Sequence, residues 1–160
     1  MNEVIPKLAK LPFFRMSHFE VFFPWLKKAS LYQKISRSLK KGEIIKLKKG
    51  FYVTKEYKEK HSSDVNYFYY LANILRYPSY VSGAYVLAGH DILTEAVYPI
   101  TSVTLKTTRR YTNNIGEFVY SSISPKLYVG YRRLFYKDEP VYAASLAKAL
   151  FDYLYNRPVA

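Results

Sequence analysis

The sequence predicts an α+β protein made of two modules. Three observations predict it: apolar spacing that changes along the chain from helical to alternating, a lopsided distribution of charge, and a core-forming composition. The 160 residues suit one ordinary domain or two small ones. Hydrophobic residues make up 49% of them, enough to bury a core, so general disorder is excluded. The formal net charge is +13, and it is concentrated. Residues 1–60 hold 15 basic and 5 acidic side chains, a net of +10, whereas residues 61–160 hold 10 and 7, a net of +3. Such asymmetry divides a basic module from a near-neutral one. The polar run from Lys55 to Asp64, with a turn signal at His61-Ser62-Ser63, reads as the junction.

The basic module reads as three short helices and a hairpin. Val4, Ile5, Leu8 and Leu11 recur at helical spacing. Ser17 is expected to cap a second helix through Phe19, Phe22 and Phe23, ended by Pro24. Ser30 is expected to cap a third, running to Lys41, with Gly42 as a left-handed terminator. Residues 43–47 and 51–54 then read as strands joined by Lys48-Lys49-Gly50.

Helix, helix, helix and a lysine-tipped hairpin is the pattern of a winged helix-turn-helix, expected over residues 1–60. On the third helix Leu31, Ile35 and Leu39 share one face. The opposite face carries Gln33, Ser36, Arg37 and Lys40, with Lys41 beside them. Arginine bonds guanine bidentately and glutamine adenine, while lysine and serine suit phosphates. The expected DNA-binding set is therefore Ser30, Gln33, Ser36, Arg37, Lys40 and Lys41, with Lys46, Lys48 and Lys49 on the wing. Duplex DNA is the expected partner. RNA is the alternative, since some of the 18 tyrosines could stack on splayed bases, although most recur at core spacing.

In the second module, residues 64–76 read as a helix with Tyr67, Leu71, Ile74 and Leu75 on its apolar side. Ser82 is expected to cap a helix ending at Gly89. Strands are expected over 101–108, 118–123 and 128–136, with a turn at Asn113-Asn114-Ile115-Gly116. A helix over 145–155 closes the chain, its core stripe expected to be Leu146, Leu150 and Leu154 with Ala149 and Tyr153.

Four stretches carry a family likeness: KKGEIIKLKKGFYV at 40–53, YVSGAYVLAGHDIL at 80–93, PITSVTLKTTRRY at 99–111 and YAASLAKALFDYLY at 142–155. Together they span most of the chain. In them and their order the sequence resembles the AbiEi-type antitoxins of type IV toxin–antitoxin systems, which act in abortive infection as a phage defence. The resemblance implies a transcriptional repressor whose winged helix binds repeats in its own promoter. It also implies that residues 61–160 form a domain that supports repression and neutralises a nucleotidyltransferase-like toxin encoded alongside. One departure is Ala147 before Lys148, where the family pattern carries an acidic residue. The alternative is a stand-alone winged-helix regulator or an interaction module with no toxin partner.

Enzymatic chemistry finds little footing. No cysteine is present, which removes thiolate catalysis, disulfides and cysteine-ligated metals, and fits a cytoplasmic protein. The histidines at 18, 61 and 90 have no metal-ligand spacing, and His90-Asp91 reads as a helix terminator and turn. Asp138-Glu139 before Pro140 reads as a loop, and Lys148 with Asp152 as a surface pair on the last helix. No glycine-rich phosphate loop occurs. No catalytic residue, metal or cofactor is expected. The longest early apolar run, Val21 to Leu26, contains Pro24 and falls far short of the ~20 residues a spanning helix requires, so no membrane partner is expected.

Overall fold

A computed structural model describes residues 3–94 and 99–157. The protein is a mixture of helices and sheets. It divides into two compact units, residues 1–64 with 113–115, and residues 65–112 with 116–160.

The first unit runs α1 (Val4–Leu8), β1 (Phe14–Arg15), α2 (Met16–Phe22), α3 (Lys28–Lys40), β2 (Ile44–Lys48), β3 (Phe51–Thr54) and α4 (Lys55–Lys60). β3 lies between β1 and β2 in an antiparallel sheet. One core unites the elements from α1 to β3: Val4 and Leu8, Phe14, Phe19 and Phe23, Leu31 and Ile35, Ile44 and Tyr52. Phenylalanine rings do much of the filling, with Phe14 stacked on Tyr52 and tilted against Phe19. The apolar residues expected on the first three helices supply these contacts, with Ile5, Leu11, Phe22 and Leu39 packed at the margin.

Helix ends differ from expectation in instructive ways. α3 begins at Lys28, not after Ser30; its N-cap is Lys27, and Leu31 N–H already donates to the Lys27 carbonyl. Ser30 thus sits inside the first turn and caps nothing. α2 is likewise entered from Arg15, whose backbone N–H donates to His18 Nδ1 at 2.9 Å, so Ser17 is not its cap. The end of α3 behaves as expected. Gly42 adopts φ +71°, its N–H donates to Leu39, and Glu43 N–H donates to Ser38, closing a Schellman motif. The expected junction from Lys55 to Asp64 is helical over its first six residues, because Thr54 caps α4 by accepting from Tyr57 N–H at 3.1 Å. Tyr57 is buried there and stacks on His61.

The second unit runs α5 (Val65–Leu75), β4 (Ser79–Val81), α6 (Ala84–Gly89), β5 (Ile100–Thr104), β6 (Arg109–Thr112), β7 (Glu117–Ser122), a 3-10 turn (Pro125–Leu127), β8 (Tyr131–Tyr136), β9 (Glu139–Ala144) and α7 (Leu146–Tyr155). The sequence reading of this module is a mixed domain of helices flanking a small antiparallel sheet; the sheet is instead larger and mixed, with six strands in the order β6-β7-β5-β4-β9-β8. β5 and β7 are parallel, as are β4 and β9, and the remaining pairs are antiparallel. Asp138 lies in the tight turn of a β8–β9 hairpin beside Lys137 at φ +52°, whereas Glu139, also expected in a loop, begins β9.

α5 packs on this sheet through Tyr67, Tyr70, Leu71 and Leu75. Asn73, buried on the same helix, grips β9: its Nδ2 donates to the Tyr142 carbonyl and its Oδ1 accepts from Tyr142 N–H. Tyr120 donates to the Ala72 carbonyl at 2.6 Å. Tyrosine therefore serves as a core residue with a polar end, the Tyr120 hydroxyl being matched to a backbone acceptor.

α7 corrects the sequence reading most. Ser145 caps it, accepting from Lys148 N–H at 3.2 Å. Its inward face, however, is Lys148, Ala149 and Asp152. Leu146, Leu150 and Leu154 are 38%, 46% and 56% exposed, and Phe151 and Tyr155 are exposed beside them. Among the described residues no helix is long and apolar enough to cross a membrane.

Candidate functional site

Burial of Leu31, Ile35 and Ser38 fixes which side of α3 faces outward. At about 100° per residue, Gln33, Ser36, Arg37 and Lys40 fall within an arc of roughly 100° opposite that buried face. All four are exposed, as is Lys41. None of Gln33, Arg37, Lys40 or Lys41 enters a side-chain hydrogen bond or ion pair among the described residues. Ser30 is half-buried toward one side of this arc. The face is thus a set of uncommitted donors on a rigid helix.

The hairpin supplies three more cations. Lys46 and Lys49 are exposed, and Gly50 at φ +80° permits the turn next to Lys49. Lys48 is less free than expected. Its ammonium lies 4.4 Å from the centre of the Phe51 ring. Arg15 also lies 4.4 Å from that ring, because pairing of β1 with β3 sets Arg15 opposite Phe51. Sequence reasoning missed Arg15: a two-residue strand has no periodicity to recognise. It also missed Tyr32, which stands 56% exposed on α3 next to Gln33.

A second polar group lies within the other unit. Lys148 and Asp152, expected on the surface, are 9% and 1% exposed. Lys148 Nζ stands 3.0 Å from Asp152 Oδ1 and donates to the Leu127 carbonyl at 2.7 Å. Asp152 Oδ2 accepts from Ser82 Oγ at 2.7 Å and from Tyr80 Oη at 3.0 Å. This explains why Ser82 does not cap α6, whose N-cap is Gly83: its hydroxyl is committed to Asp152. Burial, followed by the charge and hydrogen bond of Asp152, pushes the Tyr80 phenol far above its ordinary value, so it remains a donor. Two charges can be buried this way because each meets an opposite charge and further hydrogen bonds.

His90 and Asp91 are exposed at the end of α6, where Asp91 takes φ +57°. Among the described residues no group of three or more histidine, aspartate or glutamate side chains is arranged to hold a metal. Comparison with protein-family models, curated proteins and solved structures finds no match.

Proposed function

We propose that the protein is a DNA-binding transcriptional regulator that reads duplex DNA with the exposed face of α3. The element order α1-β1-α2-α3-β2-β3, with β3 between β1 and β2, supports reading the first unit as a winged helix in which α3 is the recognition helix and the β2–β3 hairpin the wing. The observation that carries the proposal is the uncommitted arc of Gln33, Ser36, Arg37 and Lys40 opposite buried Leu31 and Ile35. In this reading Arg37 and Gln33 contact base edges, and Lys40, Lys41, Lys46 and Lys49 hold phosphates. Lys48 and Arg15 bring their charge to the wing while resting on Phe51. With the likeness to AbiEi-type antitoxins, the DNA would be repeats in the gene's own promoter, and the protein would act in the cytoplasm without catalytic chemistry.

The test is Arg37→Ala, assayed by fluorescence anisotropy on duplex from the gene's upstream region and on a scrambled duplex. Loss of a base contact weakens specific binding by about 1–3 kcal/mol and narrows the gap between the two duplexes. Unchanged discrimination after both Arg37→Ala and Gln33→Ala refutes readout by α3.

A second activity, neutralisation of a nucleotidyltransferase-like toxin, is favoured by the exposed apolar face of α7. Leu146, Leu150, Phe151, Leu154 and Tyr155 form a stripe of the kind that enters a partner's groove at i, i+4 and i+8 spacing. Solvent-facing apolar clusters on a short helix mark interaction surfaces more often than isolated leucines do. The toxin gene's product is the partner this reading commits to.

A further inference from the structure

β8 is an outer strand of its sheet, hydrogen-bonded to β9 on one side only. Its backbone phase follows from β9. Asn73 takes both the N–H and the carbonyl of Tyr142, so the Arg133–Tyr142 pair exchanges no hydrogen bonds. Pro140, opposite Phe135, has no N–H to give. Tyr131, Arg133 and Phe135 therefore turn their backbone N–H and carbonyl groups toward the open edge. Among the described residues, only the Phe135 carbonyl of this row meets a partner, accepting from Asn66 Nδ2 at 3.2 Å. Such a row is a template for another strand unless it is short, covered or charged throughout. β8 has six residues, and Tyr131, Leu134 and Phe135 on it are exposed. At the opposite edge β6 exposes no large apolar side chain, and its Arg110 is already paired with Glu117.

Charge identifies what pairs with β8. The stretch from Arg132 to Glu139 opens with Arg132 and Arg133 and closes with Asp138 and Glu139. None of these four is in an ion pair among the described residues. Lys137 between them rests over the Tyr136 ring at 5.8 Å. An antiparallel copy of the same stretch runs the other way, so each basic end lies beside an acidic end. Cross-strand neighbours share a face, which restricts a two-fold pairing to registers centred on one residue. A centre at Arg133 sets like charges opposite each other. A centre at Leu134 sets Leu134 against Leu134, and Arg133 against the other copy's Phe135, the ring it already overlies at 5.6 Å within its own strand. Arg132 then lies diagonal to the other copy's Asp138, within reach of a long side chain.

We propose that the protein self-associates through β8, two copies pairing antiparallel about Leu134 to form one continuous sheet. Sedimentation equilibrium of the full chain, with no DNA present, tests this apart from the DNA-binding reading. A dimer is expected at about 100 µM protein. Arg132→Glu and Asp138→Lys, both at exposed positions, each turn two cross-strand attractions into repulsions and are expected to weaken the dimer by about tenfold or more. Mixed in equal amounts, the two variants again present opposite charges to each other, and a heterodimer as tight as the wild-type dimer is expected. Leu134→Lys, also at an exposed position, is expected to abolish association while the circular dichroism spectrum stays that of the folded chain. A wild-type monomer at that concentration overturns the proposal and leaves the edge to a strand of a different protein. A dimer that any of the three substitutions leaves unchanged, or charge variants that stay monomeric on mixing, also overturns it.

Discussion

Replacing Asp152 by alanine removes the acceptor for Tyr80 and Ser82 and leaves the Lys148 ammonium facing no carboxylate in a site where it is 9% exposed. Removing one member of a buried ion pair costs about 3–5 kcal/mol, mostly because the surviving charge is stranded. The two lost hydrogen bonds fall within that figure and are not added to it. A surface pair at the same i,i+4 spacing would cost only about 0.3–0.5 kcal/mol. The two cases differ roughly tenfold, so urea unfolding followed by ellipticity separates them. The double substitution Lys148→Met with Asp152→Leu strands no charge and is expected to recover most of the loss. A cost below about 1 kcal/mol for Asp152→Ala, or a double variant no more stable than the single, refutes the buried-pair account.

Three further outcomes follow from other parts of the fold. Gly42→Ala introduces no clash, since nothing lies within 4 Å of the added Cβ, but forces alanine to φ +71°; it is expected to cost about 1–2 kcal/mol in the same urea assay, and a neutral result contradicts the left-handed cap. Burial raises the phenols of Tyr80 and Tyr120 above their ordinary value of 10.0. Above that pH the unfolded chain releases protons that the folded state retains, so stability is full below pH 10 and falls as pH rises, by up to about 1.4 kcal/mol per pH unit for each tyrosine; thermal melts that stay flat above pH 10 contradict this. Leu150→Glu on α7 is expected to change stability by less than about 0.5 kcal/mol, because Leu150 is 46% exposed; on the proposal that α7 contacts a nucleotidyltransferase-like toxin, it abolishes protection of cells from that toxin. Full protection by that variant removes α7 as the contact face.

The first unit was largely legible because its signals are local. Leu31 and Ile35 share a buried face, and Gly42 ends α3, as spacing and backbone freedom require. Ser17, Ser30 and Ser82 misled for one reason: cap preference identifies a residue able to accept a hydrogen bond, while packing decides where the helix starts. Lys27 and Gly83 begin α3 and α6 without a capping side chain. The β2–β3 hairpin was visible, but β1 was not, and with it went the position of Arg15 over Phe51.

α7 shows a deeper limit. Its stripe of Leu146, Leu150 and Leu154 has ordinary core periodicity, and a helical wheel cannot say which face docks. The inward choice depends on Tyr80, Ser82 and Leu127, residues 21 to 72 positions away that together solvate Lys148 and Asp152.

The most direct measurement of the DNA-binding proposal is affinity for the gene's own upstream duplex against a scrambled duplex across a salt series. Specific binding predicts a preference of about 10³-fold or more near physiological salt. It also predicts that log affinity falls linearly with log salt, with a slope of about 0.9 per phosphate contacted. Each of Lys46→Ala and Lys49→Ala should make that slope shallower by about one unit. Equal affinity for the two duplexes, or no binding at moderate salt, would contradict it.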